Sequence, residues 1–205
     1  MKTINVQDYT IDADVAVNPN SDIGIIISNG SSNDMNHKII KTLFEKLKEK
    51  YSVIRFNFSY VNGKRKRANS TNIEEIRQCM QELGSKKIVL IGKSYGGYLS
   101  TLLSTESSRI NKVIVLGYPL HKQNNPSELY PQDHLTRSRA TTVFIVGDKD
   151  QYCDIPLLRK MLSSPKIHVI NNSNHSFESL DRNNVDANLQ LISDIVLREL
   201  EELKA

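Results

Sequence analysis

The sequence predicts an open α/β fold, a three-layer arrangement with a mainly parallel sheet and helices on both faces. Three observations carry this expectation. Short apolar runs alternate with longer stretches whose apolar residues recur at helical spacing, as βαβ units require. The runs are β-branched and unbroken, Ile23-Gly24-Ile25-Ile26-Ile27 being one, which suits strands buried on both faces. No internal repeat, low-complexity tract or Pro/Gly/Ser linker divides the 205 residues, so one domain over 1–205 is expected.

The elements follow in order. Ile4-Asn5-Val6 and Val15-Ala16-Val17 are expected to pair as an antiparallel edge. Residues 23–28 read as a buried strand, and Ile39, Ile40, Leu43, Phe44 and Leu47 then fall on one helical stripe. A strand over 53–58 precedes a helix over about 71–83, striped by Ile73, Ile76, Met80 and Leu83. Next come a strand at 87–91, a helix at about 95–106, and strands at 113–116 and 142–146 separated by an irregular stretch. A short helix near 155–163 leads into a strand at 167–170. The tail from about 184 to 203 is amphipathic, with Leu189, Ile192, Ile195, Val196 and Leu200 facing inward. Its polar residues Arg198, Glu199, Glu201, Glu202 and Lys204 suit a solvated face or a partner surface. Right-handed crossovers would bring every loop that follows a parallel strand to one edge of the sheet.

Composition narrows the function classes. The chain is 39% hydrophobic and 24% charged, enough apolar material for a core and too little charge for wholesale disorder. Its 27 cations and 23 anions leave +4, a mild excess for a nucleic-acid binder. Aromatics are only 6% with no tryptophan, so no base-stacking platform is evident. The apolar runs are far shorter than the ~20 residues of a membrane span, and no apolar segment follows Met1-Lys2-Thr3, so no signal peptide is expected. Cys79 and Cys153 lie far apart, without CxxC or Cys/His metal spacing. A soluble, cytoplasmic protein with no metal and no cofactor is therefore expected.

One segment stands out chemically. The strand at 87–91 runs into Gly92-Lys93-Ser94-Tyr95-Gly96-Gly97 and then a helix. G-x-S-x-G between a strand and a helix is the nucleophile elbow, a tight turn that lifts a serine above the sheet edge. Ser94 is thus the candidate nucleophile, and the Tyr95 amide, at the helix start, a candidate oxyanion donor. Gly92-Lys93-Ser94 also ends like a phosphate loop. That motif needs glycine at position 87, which is Lys87, and needs its loop where this chain has a strand.

A serine nucleophile requires a base and an orienting acid. The strand at 142–146 ends in Gly147-Asp148-Lys149-Asp150, and the strand at 167–170 in Asn171-Asn172-Ser173-Asn174-His175. Both loops belong to the edge that carries Ser94. His175 is the candidate base, because His168 lies within a strand, His37 in a helix, and His121 and His134 in the irregular stretch. Asp148, Asp150 and Asp154 compete as the acid. Asp150 is favoured, since Asp148 directly follows a glycine and suits an Asx-turn. The loop after the strand at 23–28 offers the Ser31 amide as second oxyanion donor, with Gly30 letting the backbone turn inward. Asp34 is either a substrate contact or a helix N-cap.

These residues resemble the α/β-hydrolases, and within them a small, nearly cap-less branch. It includes dienelactone-hydrolase-like proteins, a testis-expressed protein and a subunit of a histone-acetyltransferase complex. Asn29-Gly30 with Asp34-Met35-Asn36-His37 is similar to the branch's H-G-x-x-x-D-M-x-H segment. Phe56-Asn57-Phe58-Ser59-Tyr60 with Gly63-Lys64-Arg65 resembles its F-x-F-P-Y…G-R-R/K. Gly117-Tyr118-Pro119-Leu120-His121 and Asp133-His134-Leu135 resemble G-Y-P-L-H…H-L, and Gly147-x-x-Asp150 and Asn174-His175-Ser176-Phe177 complete the set. The resemblance implies Ser94, Asp150 and His175 as nucleophile, acid and base, as the residues themselves do, and the expected function is a serine hydrolase cleaving a small ester or thioester. Two positions depart from it: Asn29 stands for a histidine and Ser59 for a proline.

Two further segments bear on substrate. Lys64-Arg65-Lys66-Arg67 leaves the strand at 53–58 on the active-site edge, as a solvated loop or as a cationic rim for anionic substrates. The stretch at 118–140 is too short for a helical cap but long enough for a partial lid, in which Tyr118, His121 and Tyr130 would contact substrate or simply pack. Cys153 has no paired base and is expected to be inert. The competing function is a binding or scaffold protein on the same frame, since fold does not fix function.

Overall fold

The computed structural model describes residues 1–179 and 185–203. The chain opens with a hairpin of β1 (Lys2–Val6) and β2 (Tyr9–Ala16), followed by β3 (Ile23–Ser28), α1 (Lys38–Leu47), β4 (Ser52–Phe56) and α2 (Asn69–Leu83). Next come β5 (Lys87–Lys93), α3 (Tyr95–Leu103) and β6 (Ile110–Leu116), then a small ribbon of β7 (His121–Lys122) and β8 (Asn125–Leu129) and a 3-10 turn at Asp133–Thr136. β9 (Thr141–Gly147), α4 (Ile155–Met161), β10 (Lys166–Ile170) and α5 (Val185–Glu201) complete it. No helix among the described residues is long and apolar enough to cross a membrane.

Eight strands form one sheet in the order β1-β2-β4-β3-β5-β6-β9-β10, with β1 and β2 antiparallel and the rest parallel. Alternation explains why the strands read as unbroken apolar runs. Ile25, Ile27, Val89, Ile91 and Ile114 pack with α1 and α5 on one face. Their neighbours Ile26, Ile88, Leu90, Val113 and Val115 pack with α2 and α3 on the other. Each run thus supplies two cores at once.

The order matters for function. From β3 the chain steps to β4 on one side and then to β5 on the other, so the loops after β3 and β5 part at a topological switch point, where open α/β sheets form their crevice.

Three expectations change. The antiparallel edge exists, but Ile4 pairs with Ile11, and Val15 pairs with Ile54 of β4. The two-residue turn Gln7-Asp8, with Gln7 left-handed (φ 51°), closes the hairpin earlier than the apolar residues suggest. β4 stops at Phe56: the Asn57 amide still donates to Asp12 O, but beyond it side chains take over, Asn29 Oδ1 accepting from Phe58 and Glu75 Oε2 from Ser59. Glu199 is not on a solvated face but buried against Lys112 of β6. Residue 184 and Lys204 lie outside the described residues.

Candidate active site

The elbow is built as a constraint. Ser94 sits between β5 and α3 at φ 49° and ψ −114°, a region that costs a non-glycine residue about 1–3 kcal/mol. Its amide donates to Leu116 O on β6 at 2.9 Å, locking the turn to the neighbouring strand. The turn is too tight for side chains beside it. A Cβ on Gly92 would lie 2.3 Å from the Gly97 nitrogen, and one on Gly96 2.6 Å from Asn29 O. Tyr95 opens α3, where a backbone N–H has no acceptor within the helix.

The loop after β10 delivers His175. Asn174 folds it, its Oδ1 accepting from the amides of Ser176 at 2.8 Å and Glu178 at 3.1 Å, while Phe177 is buried beneath. His175 Nε2 lies 2.9 Å from Ser94 Oγ, and Nδ1 lies 2.9 Å from both carboxylate oxygens of Asp150. A carboxylate only accepts, so Nδ1 carries the proton and Nε2 faces the serine as an acceptor. The Asp150 side chain is fully buried, and its Oδ1 also accepts from the Tyr152 amide at 2.8 Å.

The three candidate acids each have a different task. Asp150 meets the imidazole. Asp148 accepts from the Ser173 amide at 3.0 Å, pinning the histidine loop to the end of β9. Asp154 caps α4 by accepting from Leu157 at 2.8 Å.

Asn29, where the resembling branch has a histidine, is fully buried. Its Nδ2 donates to Gly30 O at 2.9 Å and Asn33 O at 2.6 Å, and its Oδ1 accepts from Phe58. Tyr60 adds a hydroxyl donated to Gly30 O at 2.9 Å. The loop holding Ser31 is therefore braced from inside. Asn29→Ala is expected to lower stability in urea unfolding by about 2 kcal/mol, because buried backbone groups lose their partner.

Ser94 and His175 open into a cleft of about 430 Å³. Ser31 and Tyr95 line it beside them, with Tyr98, Tyr130 and Tyr152, and Pro119 and Pro131 form a wall from the 118–140 segment. The other expected contacts are elsewhere. Tyr118 is fully buried, its hydroxyl donating to Gln132. His121 takes the Asp154 amide on Nε2 at 3.1 Å, and its Nδ1 lies 2.7 Å from Lys122 O, so it fastens the ribbon to the acid loop. Asp34 closes the turn before α1, accepting from the Asn36 amide at 2.8 Å; the N-cap position of α1 is His37. Lys64 donates to Thr10 O at 2.9 Å beside Asp12, and Arg65 pairs with Asp8, so both turn back to the N-terminal hairpin. Cys153 is buried, which raises its thiol pKa and keeps it protonated.

Of the basic run expected at the site edge, Arg67 alone lines the cleft, and sequence reasoning missed one further cation, Lys93. Arg67, two residues before α2, and Asn69, its first residue, both line the cleft. Lys93, set aside as part of a failed phosphate-loop match, is 2% exposed, with Nζ 3.4 Å from His175 O. Burial draws its pKa down to about 8, against the opposing pull of the Asp150 and Glu178 charges. A lysine inside the elbow was the available signal.

Comparison with solved structures places this frame among known ones. A protein of unknown function from Agrobacterium tumefaciens superposes with a TM-score of 0.80 at 17% identity, over 98% of this chain and 96% of its own. An alpha-beta serine hydrolase homologue from Coxiella burnetii gives 0.76 at 19%, over 97% and 96%. A Xanthomonas campestris protein described as an a/b serine hydrolase without lid gives 0.68 at 18%, over 92% of each chain. These likenesses speak to the fold. Residues 21–200 match the sequence model of the alpha/beta hydrolase domain, and by that match the chain belongs to the alpha/beta hydrolase family.

Proposed function

We propose that the protein is a serine hydrolase that cleaves a small ester or thioester. The observation that carries this reading is the unbroken Ser94–His175–Asp150 chain, with each link at 2.9 Å, opening into the cleft. Ser94 Oγ attacks the carbonyl carbon as its proton passes to His175 Nε2, and Asp150 steadies the imidazolium that forms. The carbonyl oxygen, now anionic, is held by the amides of Tyr95 and Ser31. Collapse expels the alcohol or thiol, which takes the proton from Nε2 and leaves an acyl-Ser94. Water, deprotonated by the same nitrogen, then attacks the acyl carbon and releases acid and free serine.

A cleft of about 430 Å³ suits a small acyl group. Both cysteines are buried free thiols, as suits the cytoplasm.

A fluorophosphonate probe tests the reading. Wild type is expected to label, and Ser94→Ala and His175→Ala to stay dark while folded. A folded wild type that stays dark would overturn the hydrolase reading in favour of a binding or scaffold role on the same frame.

A further inference from the structure

We propose that the cleft selects esters carrying a carboxylate, which Arg67 binds on a platform made by Tyr95; this rests on the serine-hydrolase reading above. The charge pattern of the cleft is the first observation. Among the described residues lining it there is no Asp or Glu, and the one arginine or lysine is Arg67.

The second observation is what each cation of the basic loop does. Lys64 is engaged by Asp12 of β2 and Arg65 by Asp8 of the hairpin turn. Arg67 has no acidic partner among the described residues; its guanidinium lies over the Tyr95 ring, 5.4 Å from the centroid. Stacked this way, a guanidinium keeps its N–H edge available for an incoming anion.

The third is that the platform is rigid before any ligand arrives. The Tyr95 hydroxyl donates within 3.0 Å of Asn69 Oδ1 and 3.1 Å of Asn72 Oδ1. Its ring packs on Phe58 and Tyr60, with centroids 6.1 Å away in each case. Tyr95 also follows Ser94 directly, so the cation is tied to the residue beside the nucleophile. The nearby buried acid Glu75 accepts from Tyr9, Ser59 and Asn72, and its hydrogen bonds face inward.

The ligand class follows from the count of charges. One planar fork presents two parallel N–H donors, which match the two oxygens and single charge of a carboxylate. A phosphate, with nearly twice the charge, calls for further cations that the cleft does not hold.

The test compares matched substrates. One series carries the charge on the acyl side: mono-4-nitrophenyl succinate, glutarate and adipate against neutral 4-nitrophenyl esters of equal chain length. A second carries it on the alcohol side, as butyryl esters of hydroxy acids against their methyl esters. Wild type is expected to favour the anionic member of at least one series by 10-fold or more in kcat/KM, less at 1 M salt. Arg67→Gln should bring that ratio down to about 1, and Arg67→Lys should retain only part of it. A wild-type ratio near 1 in both series, or one unchanged in Arg67→Gln, overturns the assignment while leaving the hydrolase reading in place. Binding of monomethyl glutarate and methyl valerate to Ser94→Ala, by calorimetry, separates the two readings. Arg67-dependent preference for the anion there, with no turnover by wild type, would keep the anion site and overturn the hydrolase.

Discussion

Replacing Ser94 by alanine is expected to lower kcat on the order of 10⁶-fold, and Asp150→Asn on the order of 10⁴-fold, with both proteins folded. In the proposed mechanism the serine effect is the loss of the attacking atom itself. The asparagine effect is subtler, because the isostere fills the same buried space and keeps an oxygen for the Tyr152 amide. What changes is the proton on His175. The carboxylate can only accept, so it holds the proton on Nδ1 and leaves Nε2 free to take one from Ser94. An asparagine NH₂ turned toward Nδ1 donates instead, moving the ring proton to Nε2, where it blocks that transfer. Steady-state rates on 4-nitrophenyl butyrate, with circular dichroism to verify folding, check both variants. Near-wild-type turnover by Asp150→Asn would remove the orienting role from Asp150. Asp148 and Asp154 are poor substitutes, since the carboxylate at His175 Nδ1 is that of Asp150, and theirs are turned to the Ser173 and Leu157 amides.

That division among three aspartates marks where the sequence stops being informative. The elbow is legible because a strained turn between strand and helix admits few residue types, and glycines at 92 and 96 meet that demand on sight. The loop carrying His175 is legible too, since its position after the last strand fixes the edge it reaches. Which aspartate meets the imidazole depends instead on how residues 147–154 coil, and three acids within seven residues offer no local signal to rank them beyond turn chemistry.

The substrate-facing residues are harder still, because the cleft is assembled from loops far apart in the chain. Tyr118 and His121 look exposed in a polar, proline-bearing stretch. Both are buried, because Gln132 and the amide of Asp154 supply polar partners from 14 and 33 residues away. The basic run misleads for a similar reason. A turn through Ser59–Gly63, with Gly63 at φ 68°, sends Lys64 back to Asp12 of β2 and Arg65 to Asp8 of the hairpin turn, and of the run only Arg67 lines the cleft. The N-terminal edge was misregistered because Gln7-Asp8 lacks the Asn-Gly or Asp-Gly signature of a two-residue hairpin turn.

The largest loss of stability is expected from Lys112→Met, about 3–5 kcal/mol in urea unfolding at neutral pH. Lys112 and Glu199 are each almost wholly buried, with Nζ 2.9 Å from Oε2 and 2.5 Å from the Glu199 carbonyl. Lys166 at 2.8 Å and His168 at 2.9 Å reach the other carboxylate oxygen from β10, so one glutamate ties α5 to two strands. Removing Lys112 takes the buried partner from Glu199 Oε2 and from the Glu199 carbonyl while Lys166 and His168 still hold Oε1, whereas Lys112→Met/Glu199→Leu removes both buried charges together. The double variant is therefore expected to recover most of the loss. Acid provides an independent check. Burial pushes the Glu199 carboxyl up, but the hydrogen bonds from Lys166, Lys112 and His168 outweigh it and hold the pKa at about 2, below its ordinary 4.5. A carboxylate depressed in the folded state stabilises above its unfolded pKa, by about 3 kcal/mol here, and the benefit fades as pH falls from about 4.5 toward 2. The gap between wild type and Glu199→Leu/Lys112→Met should then narrow, or move in favour of the variant, between pH 5 and pH 2.5. A gap that stays constant across that range would mean that shape, rather than charge, holds α5 to the sheet.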